Sequence, residues 1–283
     1  MNSPAAINQS TQAAMRPSLA ERHPGRGPPT LDRVPDLRTR RAAGDPAGRL
    51  AAWATAWLAG RVPYDDALEA VTGDRAHVVQ GPDGSRPLGE VLTSLRGRGE
   101  RRLRLVLPVP GDVHGLPPVP ALAATAMEAG QAVVGDTLVL LPATATTETV
   151  LWTQVDLPAG CLAPPPVEGT LRSLSGRLDL AVGDAARTLA GLDLARWHPE
   201  VPALLAGLSA APADPGLPPD TDPVAVSVLT RARRLATVLD LALADSPGGA
   251  VTAGQMAARE DALRPLSDAV REATTAVWNW LPR

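Results

Sequence analysis

The sequence predicts an α+β fold: a mixed sheet of about five strands packed by helices, then a helical C-terminal part ending in an antiparallel helical hairpin. Three observations carry that expectation. In residues 102–109, Leu103, Leu105, Leu107 and Val109 face one way while Arg102 and Arg104 face the other, the two-residue period of a strand. In residues 263–280, Leu263, Leu266, Val270, Ala273, Val277 and Trp280 recur at steps of three and four, the seam of a helix packed on another. A proline cluster at 164–166 separates the two regimes.

The elements follow in order. Asp45-Pro46 is a helix start, a capping oxygen followed by proline in the first turn, and Leu50, Trp53, Ala54, Trp57 and Leu58 then share one face up to Gly60. A short helix at 64–71 turns Leu68 and Val71 inward. His77-Val78-Val79 reads as a short strand before the turn Gly81-Pro82-Asp83-Gly84. Ser85 then caps a helix carrying Leu88, Val91, Leu92 and Leu95 at i, i+3, i+4 and i+7. After the 102–109 strand and a Pro/Gly-rich loop comes a helix at 119–129. Strands at 132–134 and 137–141 flank Gly135-Asp136, a hairpin turn, and a further strand at 149–155 carries Trp152. The order β-α-β-α-β-β-β points to a sheet parallel at first and antiparallel later, with helices on one face.

Beyond the proline cluster, Leu171, Leu174, Leu178, Ala181, Ala185 and Leu189 sustain a helical stripe, and Leu204, Leu205 and Leu208 mark a shorter helix. Residues 210–222 form a Pro/Asp-rich linker, and Asp222-Pro223 repeats the start signal seen at Asp45. That start opens a helix with Val224, Val228, Leu235 and Leu239 inward, which pairs with the last helix beyond Gly248-Gly249 in a hairpin over 223–280. Pro265 falls inside the last helix and is expected to kink it. The implied division is a basic arm at 1–44, an α/β sheet domain at 45–163 and a helical region at 164–283.

Composition removes whole classes of chemistry. The chain has no lysine and no phenylalanine, so a Walker-type lysine and a Schiff-base lysine are excluded. The single cysteine, Cys161, excludes internal disulfides and thiolate clusters, and the four histidines have no metal-ligand spacing, so neither metal nor cofactor is expected. No leader-like segment and no run of 18 apolar residues occurs, which makes the cytoplasm the expected compartment and a membrane an unexpected partner. Residues 1–49 hold eight arginines against four acids and seven prolines, the composition of a disordered basic arm.

Four places are candidates for function. Gly111, Asp112, His114 and Gly115 lie where the 102–109 strand ends, and ligands in open α/β sheets bind beyond such ends. Asp112 and His114, two residues apart, form a candidate acid/base pair; the opposing reading is a turn in which Asp112 caps a neighbouring amide and His114 is exposed. Arg96, Arg98, Arg101, Arg102 and Arg104 form a candidate phosphate-binding cluster, although no aromatic interleaves them and the net charge is −3. Trp197-His198-Pro199 is a candidate recognition patch at a helix boundary. Trp278 falls one helical step from the final seam, near the outer flank, which makes it a candidate anchor for a partner or second copy; the opposing reading is that it packs on the sheet domain.

The runs LRLVLPVPGD, ALAATAMEAGQAVVG, VLWTQVDLP, RARRLATVLDLALAD and EDALRPLSDAVREA, spread over most of residues 46–280, resemble uncharacterised conserved proteins of high-GC actinobacteria. That resemblance implies no catalytic residue, ligand or fold. The favoured expectation is a cytoplasmic, non-catalytic interaction or regulatory protein with a protein partner or self-association. The alternatives are a small-ligand binder or enzyme using the 110–115 loop, and a nucleic-acid-associated protein using the basic arm and the Arg96–Arg104 cluster.

Overall fold

Hairpin turns organise the sheet. In the computed structural model, which describes residues 46–161, 163, 169–191, 216–244 and 253–280, β1 (Ala76–Gly81) folds back through Pro82-Asp83 into β2 (Gly84–Pro87). Gly81 faces Gly84 across the turn, and Gly84 adopts the positive φ of 102° that this tight reversal needs. Ser85 therefore lies in a strand and caps no helix, contrary to the expectation. The helix starts at Leu88 after Pro87, because a chain already paired with β1 as far as Val78↔Pro87 cannot begin to coil at Ser85.

At the other end, β4 (Ala132–Val134) and β5 (Leu138–Ala145) form another hairpin. Glu100, only 5% exposed, fixes its turn by accepting the backbone N–H groups of Asp136 and Thr137 at 2.6 and 3.2 Å and the Thr137 hydroxyl at 3.1 Å. With β3 (Arg104–Val106) and β6 (Thr149–Asp156) the sheet has six strands in the order β2-β1-β6-β5-β4-β3. The parallel pairing is between β1 and β6, and every other neighbour is antiparallel. The expected early parallel portion is thus corrected. β1 and β3 never meet, since the chain inserts its last strand beside its first.

Helices cover both faces, not one. On the first face, α1 (Pro46–Leu58), α2 (Tyr64–Thr72) and α3 (Leu88–Gly97) pack over Val79, Leu103, Leu105, Val133, Leu140, Val150 and Trp152. On the second, α4 (Pro120–Ala129) lays Leu122 and Ala126 against Val106, Val134, Val139 and Leu141. Strand alternation distributes the two sets: Leu105 faces one core and Val106 the other, each at most 6% exposed.

The C-terminal part consists, among the described residues, of α5 (Leu171–Gly191), α6 (Pro223–Ala244) and α7 (Ala253–Trp278). The expected seam is buried, with Leu263, Leu266, Val270, Ala273 and Val277 all 6% exposed or less. Trp280 lies beyond the helix and is half-buried, while α7 runs on through Pro265. Arg259 donates to the Ala242 carbonyl at 3.2 Å near one end and Arg233 lies 5.4 Å over the Trp278 ring at the other, so α6 and α7 run antiparallel. α5 adds a third helix, tied in by Arg177–Glu272 at 2.7 Å and Arg231–Asp179 at 2.5 Å. Leu174, Leu178, Val228, Val270 and the sheet residues belong to one continuous core, so the helical part and the sheet share their apolar interior.

The basic arm at 1–44, the 164–166 prolines, the Trp197-His198-Pro199 patch, the Leu204–Leu208 helix, most of the 210–222 linker and Gly248-Gly249 lie outside the described residues.

Candidate functional site

β3 forms one of the sheet's two edges, β2 being the other, and side chains from outside the sheet close it. On an edge strand alternate residues turn their backbone groups outward with no strand to receive them. The Thr55 hydroxyl on α1 accepts from Leu103 N–H and donates to its carbonyl, both at 2.9 Å. Two residues on, the Asn279 amide accepts from Leu105 N–H at 2.7 Å and donates to Leu105 carbonyl at 2.9 Å, as a neighbouring strand would. Two further, Arg271 on α7 donates to the Leu107 carbonyl at 3.4 Å. The Arg102 guanidinium in turn donates to the Asn279 carbonyl at 2.6 Å. Burial, then the neighbouring Arg104 charge, lowers its pKa from the ordinary value.

Past this edge the chain makes the turn that sequence spacing singled out. Val109 and Asp112 exchange backbone hydrogen bonds of 3.0 and 2.9 Å around Pro110-Gly111, with Gly111 at φ 87°. Proline second and a left-handed glycine third is the pattern of a type II turn. Gly115, at φ 92° and buried, brings the returning loop onto Val106; a Cβ there would sit 3.1 Å from the valine methyl.

Between this loop, β3 and the flank of α7 lies a cleft of about 460 Å³. Val106, Leu107 and Ala276 give it apolar wall, and Arg104, Asp112, His114, Asp268, Arg271 and Glu272 line it with charge. Asp112, His114 and Gly115 are therefore brought together at one opening, while Gly111 sits outside it at the turn's exposed tip. The cleft spans sequence positions far apart, since α7 approaches the loop only because it packs across the edge of the sheet.

Asp112 is fully engaged. Its Oδ1 accepts the His114 backbone N–H at 3.0 Å and its Oδ2 accepts from Arg271 Nη2 at 2.8 Å. First the His114 amide and then the Arg271 guanidinium hold its carboxyl below the usual carboxylate range. The hydrogen bond that joins Asp112 to His114 thus runs to the main chain, in the capping role of an Asx turn. Arg271 is less well served. Its Nη2 also reaches Asp268 at 3.3 Å, and its Nε, out of contact with water, has no hydrogen-bond partner.

The arginines of the cluster have different surroundings. Arg96 lies 5.0 Å over the Trp57 ring, Arg98 and Arg101 are exposed, Arg102 turns to Asn279 and Arg104 lines the cleft. Trp278 is not an exposed anchor. It is 1% exposed, and a Cβ on Gly48 would come within 2.5 Å of its ring. The apolar face of α7 widens at its end because α1 packs there as well, so one helical step beyond the seam is still interior.

Arg271, Asp268 and Glu272 stand out in no sequence pattern, being charged residues of a helix like many others, and Thr55 and Asn279 carried no signal in spacing or motif. Away from the cleft, the buried His77 ring accepts the Trp152 indole N–H at Nδ1, 3.3 Å away, and leaves Nε2 with no partner. Burial, then Arg75, pushes its pKa down to about 4. Among the described residues no group of three or more His, Cys, Asp or Glu is placed to hold a metal ion, and no helix is long and apolar enough to cross a membrane.

No curated protein and no solved structure matches the chain. Two family models do. Residues 47–170 match the N-terminal domain of the Rv1486c-like proteins and residues 173–275 match the C-terminal domain. The junction between the two matches falls at the start of α5, and the cleft is built across it, from the strand and loop of the first domain and the last helix of the second. With both domains present in order and most of its length matched, the chain belongs to the Rv1486c-like family.

Proposed function

We propose that the protein is a non-catalytic, cytoplasmic regulatory protein that takes a small ligand in the cleft between the 109–115 loop and α7. The observation that carries this reading is the convergence of Asp112, His114 and Gly115 with Arg271 on a single cavity of about 460 Å³, the size of a small-molecule site. Its mixture of apolar wall and a few charged groups suits a ligand with an apolar body and a polar end. Catalysis has little support. A carboxylate that is tied to an arginine and a backbone amide, with a lowered pKa, is a poor general base near neutral pH. Nucleic-acid binding draws less support than the sequence suggested, because Arg96 and Arg102 are committed to Trp57 and Asn279.

The test is to fill the cleft. Thr275 lines it, and its hydroxyl donates to the Arg271 carbonyl of its own helix. Thr275→Trp should leave the circular dichroism spectrum unchanged and abolish thermal stabilisation by any small molecule that stabilises the native protein in a metabolite screen. A ligand that stabilises both proteins equally binds elsewhere, and the cleft reading would fall.

A further inference from the structure

Arg271 offers five N–H donors, of which Nη1 makes one contact of 3.4 Å, Nη2 makes contacts of 2.8 and 3.3 Å, and Nε makes none. A buried donor without an acceptor is uncommon and calls for a missing partner. The strongest partner for a guanidinium is an oxyanion that takes two of its N–H groups at once, side by side. Asp112 does not do this. Its Oδ2 meets Nη2 alone, and its Oδ1 accepts the His114 amide, so the carboxylate meets Arg271 through one oxygen and one nitrogen.

Building on the ligand-binding reading, we propose that the ligand carries an oxyanion, a carboxylate or a phosphate, that displaces Asp112 from Arg271, with Asp112 acting as a built-in surrogate for it. On the cleft wall Glu272 is paired with Arg177 at 2.7 Å, and Arg271 is the cation that the exchange frees from Asp112. The apolar body of the ligand rests on Val106, Leu107 and Ala276. Because the Asp112–Arg271 hydrogen bond joins the 109–112 turn to α7, its release also removes one tie between the loop and that helix.

The surrogate makes an unusual forecast: removing a charged residue from the site strengthens binding. Calorimetric titration of the full chain with 3-phenylpropionate and with phenyl phosphate separates the two oxyanions, and phenethylamine serves as the cationic control. Asp112→Asn keeps a side-chain oxygen for the His114 amide while removing the competing charge, and should tighten the better oxyanion by about tenfold. Arg271→Gln should lose it, and Arg271→Lys, the fallback if the glutamine variant unfolds, should weaken it because ammonium cannot present the paired donors. Equal or weaker oxyanion binding in Asp112→Asn overturns the surrogate. Preference for phenethylamine overturns the oxyanion while leaving the cleft as a ligand site. If no probe binds either the native protein or Asp112→Asn at millimolar concentration, the oxyanion assignment fails, and the Thr275→Trp screen decides the cleft independently.

Discussion

Asn279 takes the place of a seventh strand beside Leu105, one side-chain amide meeting both the N–H and the carbonyl of that residue at 2.7 and 2.9 Å. It is 8% exposed and lies just past the last helix, so a single residue joins the end of α7 to the edge of the sheet.

Asn279→Leu preserves bulk and removes both hydrogen bonds, stranding two buried backbone groups. The expected loss is about 2–4 kcal/mol, from two unsatisfied groups at 1–3 kcal/mol each with partial relief by water. Urea unfolding of the variant and the native protein measures it. A loss below about 0.5 kcal/mol would mean that the edge is satisfied in another way.

Trp278→Ala should cost about 3–5 kcal/mol, the range for emptying a large aromatic site in a packed core. Gly48→Ala approaches the same ring from the other side and should cost about 1–3 kcal/mol through overpacking, since its Cβ would lie 2.5 Å from Trp278. Thermal denaturation distinguishes this from a surface tryptophan, whose removal would leave the melting temperature nearly unchanged.

His77 gives the protein a pH-dependent stability. The folded state keeps the ring neutral down to about 4, whereas the unfolded chain protonates it near 6.5. Between those values the unfolded state binds more protons, so stability is complete above pH 6.5 and falls as the pH drops toward 4, by about 3 kcal/mol in all. Urea midpoints at pH 7.5, 6, 5 and 4.5 should fall progressively in the native protein. The His77-dependent part of that slope should vanish in His77→Gln, and an identical slope in both would assign the effect to carboxylates.

Glu100→Ala removes the group that fixes the β4–β5 turn and leaves the Asp136 and Thr137 amides without their carboxylate. The expected loss is about 2–3 kcal/mol. Amide exchange at Asp136 and Thr137 should accelerate more than exchange at Val79, which lies in β1 across the sheet.

Much of the fold was legible because its signals are local. The seam of Leu263 to Val277, the stripe of Leu174 to Ala185 and the 149–155 strand each repeat with the period of the element they form. β2 was hidden because four residues, Gly-Ser-Arg-Pro, are too few to alternate, and Ser85 before a helical pattern mimics a cap. The β1–β6 pairing was hidden because strand neighbours depend on the whole chain. At the site, the glycines and Asp112 could be read from the turn chemistry around Pro110. Arg271 could not, since an arginine among charged residues on a helix looks like any solvated face. Trp278 was misplaced because a periodic pattern shows where one neighbour packs, and α7 has another in α1.

The closing of β3 by Thr55, Asn279 and Arg271 sets an order on synthesis. Thr55 leaves the ribosome before the strand it seals, but Arg271 and Asn279 emerge more than 150 residues after it. Once β6 has emerged, the growing chain can carry a sheet whose outer margin lacks its last two stoppers, together with the bared apolar surface that α7 will cover. Any shortened product that ends before Arg271 keeps this margin permanently raw, and such a fragment is a template on which other chains can stack.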